Sequence, residues 1–213
     1  MKVSLINPGF GYIINSDPKG IENSLAEAVD SKREEALHRK QINVTEPPLG
    51  KYQTSRGLLC IATVLEHAKI ETDYVQADYE TNRSKTGVAE VLKEKTKGVD
   101  IVGITSYTIN FGEALKIARA LRKINSQIII VMGGHHVSAM DRETLEDPNI
   151  DFVVRGEGEE TFLELVKNIR GRKRFENICG ISYKDKDGVI IRNPPRRSLE
   201  GATIPSWKRY VLV

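Results

Sequence analysis

The sequence predicts an α/β fold, a doubly wound (Rossmann-like) parallel five-stranded sheet with a C-terminal β-hairpin and linker. Short β-rich runs alternate with amphipathic helical patterns, which implies right-handed crossovers and a parallel sheet. Two of the runs, Ile101–Thr105 after Asp100 and Gln127–Met132, are almost continuously apolar, as strands covered by helices on both faces must be. The rhythm changes after Cys179, where two short β-rich runs flank an Asp187-Gly188 turn. At 213 residues the chain is long enough for one main domain with a small appendage.

Lys2–Asn7 reads as the first strand, stopped by Pro8-Gly9. From Ile21 to Arg39 the apolar spacing is that of a weakly amphipathic, highly charged helix, read as an insertion over about 12–46. Pro47-Pro48-Leu49-Gly50 breaks the chain before a second helix on Leu58, Leu59, Ala62, Leu65 and Ala68, expected to stop near His67–Lys69. Thr72–Ala77 is the second strand, followed by a short helix on Val88, Val91 and Leu92. Ile101–Thr105 is the central strand, and Phe111, Ala114, Leu115, Ala118, Leu121 and Ile124 mark the helix after it. Gln127–Met132 ends abruptly at Gly133-Gly134. Asp151–Val154 is the fifth strand, and Phe162, Leu165, Val166 and Ile169 define the helix that follows. This divides the chain into an α/β domain over 1–177, and a β-hairpin with a Pro-rich basic linker over 178–213.

Composition excludes several classes of function. Hydrophobic residues at 39% and charged residues at 29% describe a soluble globular chain. No apolar run approaches the roughly 18 residues of a membrane span, and no signal-peptide layout follows Met1, so a cytoplasmic protein without a membrane partner is expected. A net charge of +3 is too small to indicate nucleic acid. The charge is unevenly spread: from Arg170 onward there are 11 Lys/Arg against 4 Asp/Glu, a solvated surface or a docking face. Cys60 and Cys179 stand far apart and are expected as buried free thiols. Two cysteines cannot supply the thiolates that an iron–sulfur cluster or structural zinc takes.

Ligands of open α/β sheets bind beyond the carboxyl ends of the strands. The loops there are Asn7-Pro8-Gly9, Ser106-Tyr107-Thr108, Gly133-Gly134-His135-His136 and Gly156-Glu157-Gly158, and they form the candidate cofactor site. Gly133 and Gly134 let backbone approach a bulky ligand or turn tightly. Ser106 and Thr108 offer hydroxyls to a ligand or cap the following helix. The carboxylates around Glu157 also suit a helix N-terminus on structural grounds alone. His135 and His136, read as extended, point in opposite directions, and no further ligand stands nearby to complete a metal set. Neither a Walker loop nor Gly-x-Gly-x-x-Gly after the first strand is present. No catalytic residue is assigned.

Taken in order, these loops resemble the cobalamin-binding domain at the N-terminus of cobalamin-dependent radical S-adenosylmethionine enzymes. The matching text is Asn7-Pro8, Pro47-Pro48-Leu49-Gly50, Val102–Ser106, Gly133–Ala139, Asp147–Glu159, and Gly180–Tyr183 through Asn193–Arg196. The resemblance implies a corrinoid at the carboxyl edge, its nucleotide tail running between Ser106-Tyr107-Thr108 and Gly133-Gly134. A Ser-x-Leu segment and a Gly-Gly segment play those parts in the wider family, with Thr108 here in the place of Leu. On that expectation a bulky residue at Gly134 would fill the tail groove and leave the fold intact.

Two departures from the family pattern shape the functional expectation. The Asp-x-His-x-x-Gly signature that places a histidine under cobalt is missing after the first strand, so no lower histidine is expected from that loop. His135 and His136 are instead assigned to ligand contacts. The family's Cys-x-x-x-Cys-x-x-Cys segment is also missing, so no iron–sulfur cluster is expected in this chain. The resulting expectation is a corrinoid module linked to methyl transfer, not catalytic alone, that serves a radical S-adenosylmethionine catalytic domain in cis or trans. Two other readings stay open: a scaffold of the same fold that binds no corrinoid, and a small nucleotide-binding enzyme using the same crevice.

Overall fold

The computed structural model describes residues 1–9 and 54–197. The expected insertion over 12–46, the Pro47–Gly50 segment and the chain beyond residue 197 lie outside the described residues. The elements run β1 (Lys2–Asn7), α1 (Arg56–His67), β2 (Glu71–Gln76), α2 (Ala77–Ser84), α3 (Val88–Lys95) and β3 (Ile101–Thr105). A 3-10 turn at Thr108–Asn110 leads into α4 (Phe111–Ile124), β4 (Ile129–Gly133), α5 (His135–Ala139) and α6 (Asp141–Glu146). The chain continues through β5 (Phe152–Val154), α7 (Glu159–Arg170), β6 (Ile181–Lys184) and β7 (Ile190–Arg192).

The strands form one sheet in the order β2-β1-β3-β4-β5-β6-β7. The five predicted strands pair in parallel. The hairpin extends the same sheet: β6 pairs antiparallel with β5, and β7 with β6, giving seven strands. Its turn is the expected one. Asp185 Oδ1 accepts the amides of Asp187 and Val189, and Gly188 takes a φ of +79° that a side chain would oppose.

Period-two alternation divides the core into two layers. Val3, Leu5, Ile101, Val131 and Val154 face α1 and α7, while Ile6, Val102, Ile104, Ile130 and Met132 face the α4 side. Helix α1 starts where Ser55 Oγ accepts the amide of Leu58, and it buries Leu58, Leu59, Ala62 and Leu65. Helix α4 buries Ala114, Ile117, Ala118 and Leu121, while Ile124 in its last turn is exposed. Helix α7 carries Glu159 and Glu160 in its first turn and Lys167 and Arg170 near its end, matching the helix dipole.

Three short helices, α2, α5 and α6, escape the sequence reading. In α2, ADYETNRS carries too few apolar residues to show a stripe; its start is marked by local hydrogen bonds, Asp78 Oδ1 accepting from Gln76 Nε2 and from the Tyr79 amide. In α6, Asp141 is buried beneath the hairpin. Its Oδ2 accepts from Ser182 Oγ and, at 2.9 Å, from Arg192 Nε, and it lies 3.4 Å from Arg155 Nε. Arg155, itself buried, donates to the carbonyls of Ile181, at 3.0 Å, and Asn193. Burial alone would raise the Asp141 carboxyl. The Ser182 and Arg192 hydrogen bonds, with the charges of Arg192 and Arg155, outweigh it and hold the group below its ordinary range.

Both cysteines are free. Cys60 is buried as expected, and burial pushes its thiol up; Cys179 is only half-buried. No helix among the described residues is long and apolar enough to cross a membrane.

Candidate functional site

The strand order 2-1-3-4-5 reverses its direction of growth between β1 and β3, so two loops diverge there and leave a crevice beyond the strand ends. A cavity of about 460 Å³ opens at that edge and descends along the sheet face covered by α1 and α7. Its floor is a single hydrogen-bonded row, Leu5–Gly103–Val131, roofed by Leu58 and Ile61 of α1 and Phe162 of α7. Gly103 makes the space. A Cβ there would stand 2.8 Å from Leu5 Cδ2 and 3.1 Å from the Phe162 ring. One row nearer the mouth are Thr105 and Gly133, in register. Ser55, Gly57, Tyr107, Gly134, His135, Ser138 and Gly156–Glu159 complete the upper wall.

The structure sorts the candidate residues into groups. Tyr107, Gly133, Gly134, His135, Gly156, Glu157 and Gly158 line the cavity. Ser106 is fully buried and turned away, its hydroxyl donating to the Tyr107 carbonyl at 3.3 Å. Thr108 holds His136 Nδ1 at 3.2 Å. Asn7, Pro8 and Gly9 are buried beside the cavity without lining it. Gly9, at φ +77°, is pressed so closely against Asp78 that a Cβ would overlap the carboxyl group. Asn7 donates to Gln76 Oε1 at 2.9 Å and accepts the Gly9 amide, while Asn110 donates to the Gly9 carbonyl.

Tyr74 joins this first-loop network, donating to Gln76 Oε1 at 3.0 Å and accepting the Ser55 amide at 3.2 Å. Burial pushes its phenol up to about 12. A raised phenol stabilises the fold below its ordinary pKa near 10, and that contribution is lost as the pH rises through the folded value. Ultraviolet titration of the native protein should leave Tyr74 un-ionised at pH 10.5, and Tyr74→Phe should lose the absorbance change seen near pH 12. The variant should also cost about 1–2 kcal/mol in urea unfolding, because the Ser55 amide loses its acceptor.

The backbones of the two central loops are joined at Ser106 and Gly134. Ser106 donates its amide to the Gly133 carbonyl at 2.8 Å, and its carbonyl accepts the His136 amide. Gly134 holds φ +105°, and a Cβ on it would stand 2.4 Å from the Ser106 carbonyl oxygen. A bulky residue at Gly134 would therefore disturb the backbone rather than fill a groove. The open space lies deeper, on the sheet face at Gly103.

His135 and His136 sit on helix α5, not on extended chain, and diverge for that reason. The His135 ring stacks on Tyr107 with centroids 5.4 Å apart, and the His136 ring lies 4.2 Å from Phe111. Among the described residues no three His, Cys, Asp or Glu side chains are grouped to hold a metal ion.

Thr105 is the polar residue that loop-by-loop reading passes over. It shares the face of Gly103 by alternation. Its hydroxyl, 3.1 Å from the position of a Gly134 Cβ, makes no hydrogen bond to a described residue. The hydroxyls of Ser55 and Ser138 are already engaged by the Leu58 amide, the Gly134 carbonyl and the Gly156 amide. The cavity is thus apolar below and polar above.

Residues 48–166, more than half of the chain, match the family described as "B12 binding domain". The chain is 33% identical over 179 residues to an uncharacterized methyltransferase of Pyrococcus horikoshii, covering 81% of this chain and 36% of that protein. It is 34% identical over 154 residues to the anaerobic magnesium-protoporphyrin IX monomethyl ester cyclase of Rubrivivax gelatinosus, covering 67% of this chain and 27% of the relative. The chain therefore spans about a third of the length of these relatives. In fold it is similar to the radical S-adenosylmethionine methyltransferase TsrM from Kitasatospora setae, solved with cobalamin and a [4Fe-4S] cluster bound. That likeness has a TM-score of 0.61 at 20% identity, over 91% of this chain and 31% of the other.

Proposed function

The chain belongs to the B12-binding domain family, and from that premise we propose that it holds cobalamin for a radical S-adenosylmethionine catalytic domain, in cis or in trans. The observation that carries this reading is the cavity on the Leu5–Gly103–Val131 row at the β1/β3 switch point. The residues present fit the group. Gly103 leaves a cradle that a Cβ would fill, and Gly133-Gly134 bring bare backbone to the mouth.

Leu5, Leu58, Ile61, Val131 and Phe162 would enclose the nucleotide tail, with Thr105 giving it a hydrogen bond. Tyr107, His135 and the Gly156-Glu157-Gly158 turn would meet the corrin side. When bound, the cofactor supplies cobalt-centred methyl-transfer chemistry. The chain's own residues bind it, orient it and exclude water from its tail; none is proposed as an acid, base or nucleophile. The described start of the first loop, Asn7–Gly9, is buried and tied to Gln76 and Asn110, and in this reading the reaction centre belongs to the partner domain. We read residues 1–177 as the corrinoid-holding unit of a cytoplasmic protein, with 178–213 leading toward that partner.

The test is direct. After incubation with hydroxocobalamin and desalting, the protein should retain near one corrinoid per chain by its visible spectrum. Complete loss of colour would return the fold to a scaffold role. Thr105→Val should weaken retention by roughly tenfold, the worth of one buried hydrogen bond, while Ser106→Ala should leave it within about twofold. Equal effects of the two changes would place the tail elsewhere.

A further inference from the structure

The cavity distributes its polar atoms unevenly, and the distribution selects among corrinoids. Every described side chain on the deep row and its roof is hydrocarbon: Leu5, Val131, Leu58, Ile61 and Phe162, with Gly103 between them. The backbone of that row is spent on the sheet ladder, because Leu5, Gly103 and Val131 are register partners within three parallel strands. One row further down, Ile101 restores a full side chain and closes the space. The hydroxyl free to meet a ligand, that of Thr105, lies a row above, near the mouth.

Resting on the proposed function, we infer that this row makes the site selective for a lower base with a hydrocarbon outer ring, a benzimidazole, over a purine. The two bases share a bicyclic outline and enter edge first by the same path. Each has a five-membered ring next to the sugar, whose free nitrogen can accept from Thr105. They differ at the outer ring. A benzimidazole presents carbon and methyl groups to Leu5, Gly103, Val131 and Phe162. Adenine presents ring nitrogens and an exocyclic amine, which leave water and meet only hydrocarbon side chains on that row and its roof. A buried polar group left unpaired in this way costs roughly ten- to hundredfold in affinity.

The experiment measures the affinity of the 213-residue chain for three corrinoids by visible titration and equilibrium dialysis. They are cobalamin, the analogue with adenine as lower base, and cobinamide, which lacks the nucleotide. The expected order is cobalamin tightest, the adenine analogue about tenfold or more weaker, and cobinamide weaker than cobalamin. A cobalamin-to-adenine ratio of about five or more bears the inference out, and a smaller ratio overturns it while leaving corrinoid binding intact. Cobinamide binding as tightly as cobalamin would also overturn it, because the tail would then be outside the cavity. Failure of all three to bind would overturn the functional reading and this inference with it. Val131→Thr, which adds a hydroxyl to the row at little change in volume, should reduce the ratio by at least about threefold; an unchanged ratio would show that the row does not read the base.

Discussion

Gly103→Leu is expected to abolish corrinoid retention, lowering it from near one per chain to below about a tenth after desalting. The added side chain would occupy the space between Leu5 and Phe162, whose atoms already lie 2.8 and 3.1 Å from an ideal Cβ on residue 103. The fold should survive. Both neighbours border the cavity and can turn into it, so overpacking should cost about 1–3 kcal/mol, visible as a modest fall in Tm. Gly103→Ala is the gentler companion: it should melt close to the parent and retain corrinoid with reduced affinity. Full retention by a folded Gly103→Leu protein would exclude the row as the place of the tail. The same experiment at Gly134 would be uninformative. Its φ of +105° and the Ser106 carbonyl beside it oppose any side chain, so loss of binding there would not distinguish a blocked cavity from a broken loop.

The largest stability effect is expected from Asp141→Asn. It leaves the buried Arg155 guanidinium without its carboxylate and weakens the hydrogen bonds from Ser182 and Arg192, which join the hairpin to the sheet. Removing one partner of a buried ion pair costs about 3–5 kcal/mol, on the order of 10 °C in Tm for a chain of this size. The effect should depend on pH in a definite direction. The folded carboxyl lies below its ordinary value, so its stabilisation is fully present above the unfolded pKa near 4 and is lost as pH falls through the folded one. Urea unfolding should therefore show a wide gap between parent and variant at pH 7 that narrows steadily below pH 4. A gap that stays constant down to pH 2.5 would mean the carboxylate charge is not what holds the hairpin.

Much of the site was legible locally. Alternation along Ile101–Thr105 already assigns Gly103 and Thr105 to one face and Val102 and Ile104 to the other. Gly133-Gly134 marks a close backbone approach, and the structure places one at Gly134, against Ser106. Phe162 is legible as an inward residue of α7. What local pattern does not contain is which face stays partly unfilled. That depends on how α1 and α7 meet above the sheet, with Leu58 and Ile61 lining the cavity and Phe162 arriving over Gly103, which has no Cβ. Reading the loops after the strands therefore favoured Ser106 and Thr108, while the open hydroxyl is that of Thr105, the last residue inside the strand.

The succession of strands and of helices α1, α3, α4 and α7, the parallel core, the Asp-Gly hairpin and the family follow from side-chain periodicity and short motifs that each segment carries alone. That the hairpin continues the main sheet, that Asp141 and Arg155 bind it there, and that the cavity runs down to Gly103 emerges from the assembled fold. The difference is one of range. The Asp141 partners Ser182 and Arg192 are 41 and 51 residues away along the chain, and the cavity floor joins three strands that meet only when the sheet is assembled. Such contacts are set by the packing of whole layers, which no single stretch of sequence encodes.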